Sequence, residues 1–348
     1  MDVHSAQPKL RQTAPHEGHV EAAAPPRSAA DLSCMANCCL STALAAILCR
    51  RRCDAGQVIA EFAFFPPDPP SYVVKDVAED GTCAAIEYNY RELDADPAYA
   101  RLKHCDGSEG RPRLRLLSTA RQERVPSFFF EARGAELCVV YLHANATDCG
   151  AMLPTYATFS RRLRVSVLAV EYCGYGAASG KCSVRNVHAD ARAASDEATR
   201  LGYPPESQVL YGQSVGSGPA CHLAARRRVR GVVLHSPVAS GIRALAGGGC
   251  CSPVHVYACL DPFNNVREVA RISAPVFVVH GTHDEEIPFA HGQMLSAAAR
   301  RPHAPFWVAG AGHNNIVETA KDEYFTRMRS FLDALHLESA QDAPTKAD

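Results

Sequence analysis

The sequence has almost no excess of either charge. Thirty-six Lys and Arg stand against thirty-seven Asp and Glu in 348 residues, for a net charge of −1 and an isoelectric point near 6.9. No global field therefore recruits nucleic acid or an acidic polymer, and any basic partner surface must be local. A secretory leader is not expected either. The apolar run Leu32 to Cys49 is followed, not preceded, by the basic cluster Arg50-Arg51-Arg52, and no small-residue cleavage site comes next. Asp2 excludes myristoylation at the encoded start, and Thr345-Lys346-Ala347-Asp348 is no prenylation box. The chain is also too short for two full catalytic domains of this class.

Cysteine is plentiful, but the fifteen thiols form an odd set in a long chain. A disulfide framework belongs to small secreted domains, so a reducing compartment is expected. Cys138, Cys173, Cys182 and Cys221 fall in or beside expected core elements and read as small buried hydrophobes.

Residues 1–31 are rich in Ala, Pro, Gln and His without periodicity and are expected to be disordered. Residues 32–55 hold Cys34, Cys38, Cys39, Cys49 and Cys53 in and around the apolar run. Three readings stay open for this stretch: a membrane-spanning helix, interrupted by Ser33, Asn37, Ser41 and Thr42; a buried core helix; and a segment S-acylated on its cysteines. The last is favoured, because two or more acyl chains beside a basic cluster hold a protein to an anionic surface. Either membrane reading leaves the rest of the chain on the cytosolic side. Residues 56–112 are expected to be a proline-broken aromatic arm, Phe62 to Tyr72, followed by an irregular insertion.

From residue 113 to 336, short apolar runs alternate with helical patterns, as in a mostly parallel sheet with crossover helices. Eight strands are expected, at 114–119, 127–132, 136–143, 164–172, 207–213, 230–235, 275–281 and 304–309. Residues 337–348 read as a disordered tail.

Gly212-Gln213-Ser214-Val215-Gly216 joins the strand over 207–213 to a helical run. This G-x-S-x-G sits in the strand-turn-helix setting of a nucleophile elbow, although the pentapeptide alone is a weak signal. Asp284 follows the strand Val276 to Gly281, and His313 follows Phe306-Trp307-Val308. Nucleophile, acid and base thus arrive in order at strand ends, the pattern of the α/β-hydrolase fold. Serine needs His313 to take its proton, and Asp284 to fix the imidazole tautomer. His280 and His283 are alternative bases, Glu285 and Glu286 alternative acids. Val215 N–H supplies one oxyanion donor, and the loop Tyr141 to Ala146 supplies the other, foremost from Asn145; His143 reads as a support of that loop. No metal or cofactor is implied. Only about two dozen residues separate Pro237 from Asp261, Gly247-Gly248-Gly249 among them, too few for a helical cap. An open site is expected. Cys250 and Cys251 in that stretch read as packing residues.

These residues together resemble the α/β-hydrolase-domain-containing protein 17 family. The likeness runs from about Leu137 to Phe331 through HANATD (143–148), EYCGYGAASG (171–180), LYGQSVGS (210–217), LHSPVASG (234–241), DPFNNV (261–266), VVHGTHDEEI (278–287) and GAGHNN (310–315), and includes MANCCL and EFAFFPPDPPSY before it. It implies a membrane-anchored palmitoyl-protein thioesterase acting on S-palmitoylated membrane proteins at the cytosolic face of the plasma membrane or an endosome, with Ser214, Asp284 and His313 as triad. Two departures stand out. Ala144 replaces the glycine of the family's His-Gly-Asn-Ala, and the cysteine-rich stretch begins near Met35 instead of the first residue, which suggests a start at Met35. A monoacylglycerol lipase or small-ester esterase, and a catalytically silent membrane scaffold, are the alternative functions.

Overall fold

The structure is a computed structural model, describing residues 29–50, 52, 60, 63–108, 110–246, 261 and 263–342. Five consecutive pairs of its central strands run parallel: β6 (Ser166–Val170) with β5 (Cys138–Leu142), β5 with β7 (Gln208–Gln213), β7 with β8 (Gly231–His235), β8 with β9 (Val276–Gly281), and β9 with β10 (Phe306–Val308). Parallel strands are covered on both faces, so they read as unbroken apolar runs. Alternate residues serve opposite cores: Val140, Leu142 and Leu210 pack on one side of the sheet, Val139, Tyr141 and Tyr211 on the other. The long helices that cover it are α2 (Cys149–Leu163), α3 (Val184–Arg200), α4 (Ser217–Ala224), α5 (Ala290–Ala298) and α6 (Lys321–Asp342); α1 (Ala29–Arg50) precedes them. This is the α/β-hydrolase fold, with all eight expected strands present.

Among the described residues the sheet has ten strands, however, in the order β1-β2-β3-β4-β6-β5-β7-β8-β9-β10. Beyond β4 (Arg124–Phe130) and β3 (Arg113–Ser118), a hairpin of β1 (Tyr72–Val77) and β2 (Thr82–Tyr88) extends the antiparallel edge. The expectation of an irregular insertion within 56–112 is corrected here. Only one face of an edge hairpin is buried, so Cys83, Ile86 and Tyr88 point inward while Lys75, Glu87 and their neighbours stay solvated and dilute the apolar signal. Its turn is built by Asp80, whose Oδ1 accepts from Thr82 N–H at 2.9 Å and Thr82 Oγ1 at 2.7 Å, and by Gly81 at φ +84°.

Both chain ends also differ from expectation. α6 runs through to Asp342 because no Gly or Pro lies between Lys321 and Asp342, which corrects the expectation of disorder over 337–342; residues 343–348 lie outside the described residues. α1 begins at Ala29, inside the expected disordered extension, of which residues 1–28 lie outside the described residues. Among the described residues no helix is long and apolar enough to cross a membrane, which corrects the spanning alternative for 32–55. Cys38, Cys39 and Cys49 of α1 are exposed, Cys34 lies in the same helix, and Cys53 lies outside the described residues.

Two buried histidines, His235 and His291, and the partly buried His188 are held uncharged. Burial pushes His235 down to about 3, aided by His313 and His280; burial pushes His188 down to about 3, aided by His222 and Arg226; and burial pushes His291 down to about 4, aided by Arg243 and His280. Since each folded-state value is depressed, the unfolded chain takes up protons first as pH falls. Stability is complete above the unfolded value near 6.5 and is lost as pH falls from there toward 4, by about 1.4 kcal/mol per pH unit for each group. Urea unfolding at pH about 7.5 and about 5 is expected to show this loss, and His291→Gln, which titrates nowhere in that range, should make it smaller.

Candidate active site

All three expected triad members leave the same edge of the sheet. Register fixes this: Gln213 pairs with His235, His235 with Val279, and Gly281 with Val308, so the loops after β7, β9 and β10 begin side by side. Ser214 follows β7 directly with φ +52°, a left-handed conformation that strains any residue with a Cβ. The two glycines make that turn possible. A Cβ on Gly212 would stand 2.6 Å from the Gly216 carbonyl oxygen, and one on Gly216 would strike the Leu142 carbonyl and lie 2.8 Å from that of His143. The elbow is therefore pressed against the loop that follows β5. Gly216→Ala is expected to displace that loop, lowering kcat by about 100-fold and stability by about 1–3 kcal/mol, as read by steady-state rates and the urea midpoint.

His313 Nε2 lies 2.9 Å from Ser214 Oγ, and His313 Nδ1 lies 2.7 Å from Asp284 Oδ2. The Ser214 hydroxyl thus donates toward a ring nitrogen whose opposite N–H is held by a carboxylate. Asp284 Oδ1 accepts from the N–H groups of Glu286 at 3.0 Å and Ile287 at 2.7 Å. Burial pushes the Asp284 carboxyl up, but hydrogen bonds from His280, His313 and the Ile287 amide outweigh it and hold the group well below the usual carboxylate range. These bonds favour the ionised form of the acid. The Ser236 hydroxyl donates to the His313 carbonyl at 3.2 Å and steadies the loop that carries the base.

The alternatives separate cleanly. His280 is fully buried with Nε2 3.0 Å from both Asp284 Oδ2 and the Ile287 carbonyl, while Nδ1 has no hydrogen-bond partner. A carbonyl only accepts, so Nε2 carries the hydrogen, and His280 orients the acid; it does not reach Ser214. Its position four residues before Asp284, at the end of a buried strand, was the only sequence signal for that role. His283 bonds Thr282 Oγ1 at 3.0 Å on the exposed side. Glu286 is exposed, accepts from Asn314 Nδ2 at 2.8 Å, and has Oε2 3.8 Å from His313 Nε2.

On the other side of Ser214 lies the loop after β5, where the sequence places the expected second oxyanion donor. His143 is fully buried, stacked on Tyr172 with centroids 4.1 Å apart. Its Nδ1 donates to the Ala144 carbonyl at 2.8 Å and its Nε2 lies 2.9 Å from Glu171 Oε1. The Tyr172 hydroxyl donates to the His143 carbonyl at 2.8 Å. Ala144 lies outside the left-handed region, unlike Ala146 at φ +54°, so glycine is not required for backbone reasons at 144. The Asn145 side chain is engaged with Tyr175 and with the arm.

His143, Cys149 and Glu171 bring three ligand-type atoms within 4.8 Å of one another. They do not fit a metal. Glu171 Oε2 accepts from Tyr72 Oη at 3.0 Å and Cys149 N–H at 2.9 Å, Oε1 faces His143, and burial together with Glu171 raises the Cys149 thiol far from the thiolate a metal needs. Residues 247–260, and with them Gly247 to Gly249, Cys250, Cys251 and the expected open lid, lie outside the described residues.

Known proteins decide the family. The chain is 32% identical over 299 residues to alpha/beta hydrolase domain-containing protein 17B of Homo sapiens and of Xenopus tropicalis, covering 83% of this chain and 95% of each relative. It belongs to the alpha/beta hydrolase domain-containing protein 17 family. Protein 17C of Mus musculus is 32% identical over 309 residues, covering 79% of this chain and 89% of that one. No family model matches the chain. Among solved structures, the Pyrococcus furiosus esterase Pf2001 superposes with a TM-score of 0.52 at 17% identity, covering 78% of this chain and 98% of the esterase, a likeness of fold. The family members share with this chain a hydrolase scaffold, and the three bonded side chains at its sheet edge are the apparatus of a serine hydrolase.

Proposed function

We propose that the protein hydrolyses the thioester of S-palmitoylated cysteines on membrane proteins, at the cytosolic face of a plasma or endosomal membrane to which it is itself held by acylated cysteines. The observation that carries the chemistry is the unbroken chain Ser214 Oγ, His313, Asp284 behind a left-handed serine. In the first step Ser214 Oγ attacks the acyl carbonyl as His313 Nε2 takes its proton. The tetrahedral oxyanion is received by the backbone N–H of Val215 and of Asn145, and the collapsing intermediate expels the cysteine thiolate, which takes the proton from His313. Water, activated by the same imidazole, then attacks the acyl-serine, and fatty acid leaves with Ser214 Oγ reprotonated. Every step uses groups of this chain alone.

What favours a palmitoyl-protein over a free ester is the family resemblance together with exposed Cys38, Cys39 and Cys49 on α1, which precedes in the chain the arm that leads into the sheet. An enzyme and a substrate confined to one surface meet at raised local concentration. Competing kinetics on an S-palmitoylated peptide and a monoacylglycerol test the substrate. A kcat/KM at least tenfold higher for the thioester is the expected result, and the reverse preference would make the protein a lipase. For the anchor, changing Cys34, Cys38 and Cys39 together to Ser is expected to move the protein from the membrane to the soluble fraction of lysed cells; unchanged partition would remove acylation from the account.

A further inference from the structure

The arm ahead of the sheet is fastened to the oxyanion loop by specific bonds. Asn145 Nδ2 donates to the Ala63 carbonyl at 2.9 Å, and Asn145 Oδ1 accepts from Phe65 N–H at 2.8 Å and from Tyr175 Oη at 2.6 Å. The side-chain amide thereby satisfies both backbone groups that flank Phe64, as a neighbouring strand would. Phe64 itself is buried, edge-on to Phe263 with centroids 5.9 Å apart, and the Phe263 ring lies over Gly218 in α4, the helix that Ser214 leads into. Farther along, Ser71 N–H donates to Asp148 Oδ2 at 2.6 Å, and Tyr72 Oη donates to Glu171, the partner of His143. The arm between Ala63 and Tyr72 is thus bonded to the loop at 145 and 148 and, through Glu171, to 143.

We infer that Asn145 is a positioning residue whose side chain makes the arm part of the catalytic apparatus: with the arm seated, the amide holds the loop so that its backbone N–H meets the developing oxyanion. This rests on the serine-hydrolase reading above. An oxyanion donor acts only if it is preorganised to a fraction of an ångström, and the binding of the ground-state substrate does not depend on it. The loop keeps its support from His143, Glu171 and Tyr172 when the amide is removed, so the fold is retained while one side of the loop is freed.

The test uses the full chain, an S-palmitoylated peptide as substrate, and a fluorophosphonate to titrate active sites. Asn145→Ala is expected to lower kcat per titrated site by about 30- to 100-fold with KM within about threefold. Asn145→Asp keeps the acceptor but sets a carboxylate oxygen against the Ala63 carbonyl, and should fall comparably. Phe65→Pro removes the N–H from the arm side at a residue already restricted by Pro66; it should reproduce the loss, and added to Asn145→Ala it should deepen it little. If kcat per titrated site stays within threefold of the parent in Asn145→Ala, any loss being of titre alone, the amide is merely structural and the inference is overturned. Full activity in Phe65→Pro would overturn it as well. Failure of the parent protein to label at Ser214 would instead sink the serine-hydrolase reading, and the inference with it.

Discussion

Ser214→Ala is expected to lower kcat by about 10⁵- to 10⁶-fold and to abolish covalent labelling by a fluorophosphonate, with the fold retained. Removal of the hydroxyl leaves His313 hydrogen-bonded to Asp284 but with no nucleophile to serve, and only the oxyanion donors and substrate binding remain to assist water. His313→Ala should fall nearly as far, and the double variant no further, because serine and base act as one unit. Ser214→Gly sharpens the prediction. The residue sits at φ +52°, where a Cβ costs about 1–2 kcal/mol and glycine sits without penalty. Ser214→Gly should therefore be as inactive as Ser214→Ala yet unfold at higher urea concentration, by up to about 1 kcal/mol. A stabilised dead variant is what a strained nucleophile predicts; an ordinary turn serine would show neither effect. Retained labelling in Ser214→Ala would move the nucleophile elsewhere in the chain.

What could be read in the sequence follows from how local each feature is. The central strands announce themselves because burial on both faces leaves runs such as Val276 to Val279 wholly apolar, and the triad is legible because each member lies on the loop that follows such a strand. The β1-β2 hairpin is not legible although Asp80-Gly81 is a turn signal, since its strands bury few residues, Lys75, Asp76 and Glu87 interrupt their apolar runs, and Tyr72 stands next to a proline-rich stretch. Features made by distant partners were not legible at all. Asn145 meets Ala63 and Phe65 across 82 and 80 positions, and Tyr72 meets Glu171 across 99. No periodicity or motif encodes such a pairing; it exists only once the arm has folded back on the sheet. The second histidine on the acid is a nearer case: only its spacing of four residues before Asp284 hints at the role, and His280 otherwise reads as one more residue of a core strand until the turn brings Asp284 back over it.

That turn sets up the second large effect. Asp284→Asn is expected to lower kcat by about 10⁴-fold while leaving the serine, the base and the fold in place. The reason lies in how the carboxylate is shared. Oδ1 accepts two backbone N–H groups, from Glu286 and Ile287, and Oδ2 accepts from His313 Nδ1 and His280 Nε2, so all four partners are donors. An asparagine has one oxygen and one NH₂. Turning the NH₂ toward the two backbone amides sets donors against donors that cannot change their protonation, so the oxygen stays there and the NH₂ faces the histidines. His280 keeps the Ile287 carbonyl as acceptor, but His313 Nδ1 must now accept, which moves its hydrogen to Nε2. The imidazole then presents an N–H to Ser214 Oγ where a lone pair is needed, and the serine proton has nowhere to go. Phosphonylation of Ser214 by a fluorophosphonate should slow by a similar factor, since it requires the same proton transfer. Asp284→Asn retaining more than about a tenth of the parent rate would show that the tautomer of His313 is not set by Asp284; Glu286, 3.8 Å from His313 Nε2, could not replace it, because a carboxylate there favours the hydrogen on the wrong nitrogen.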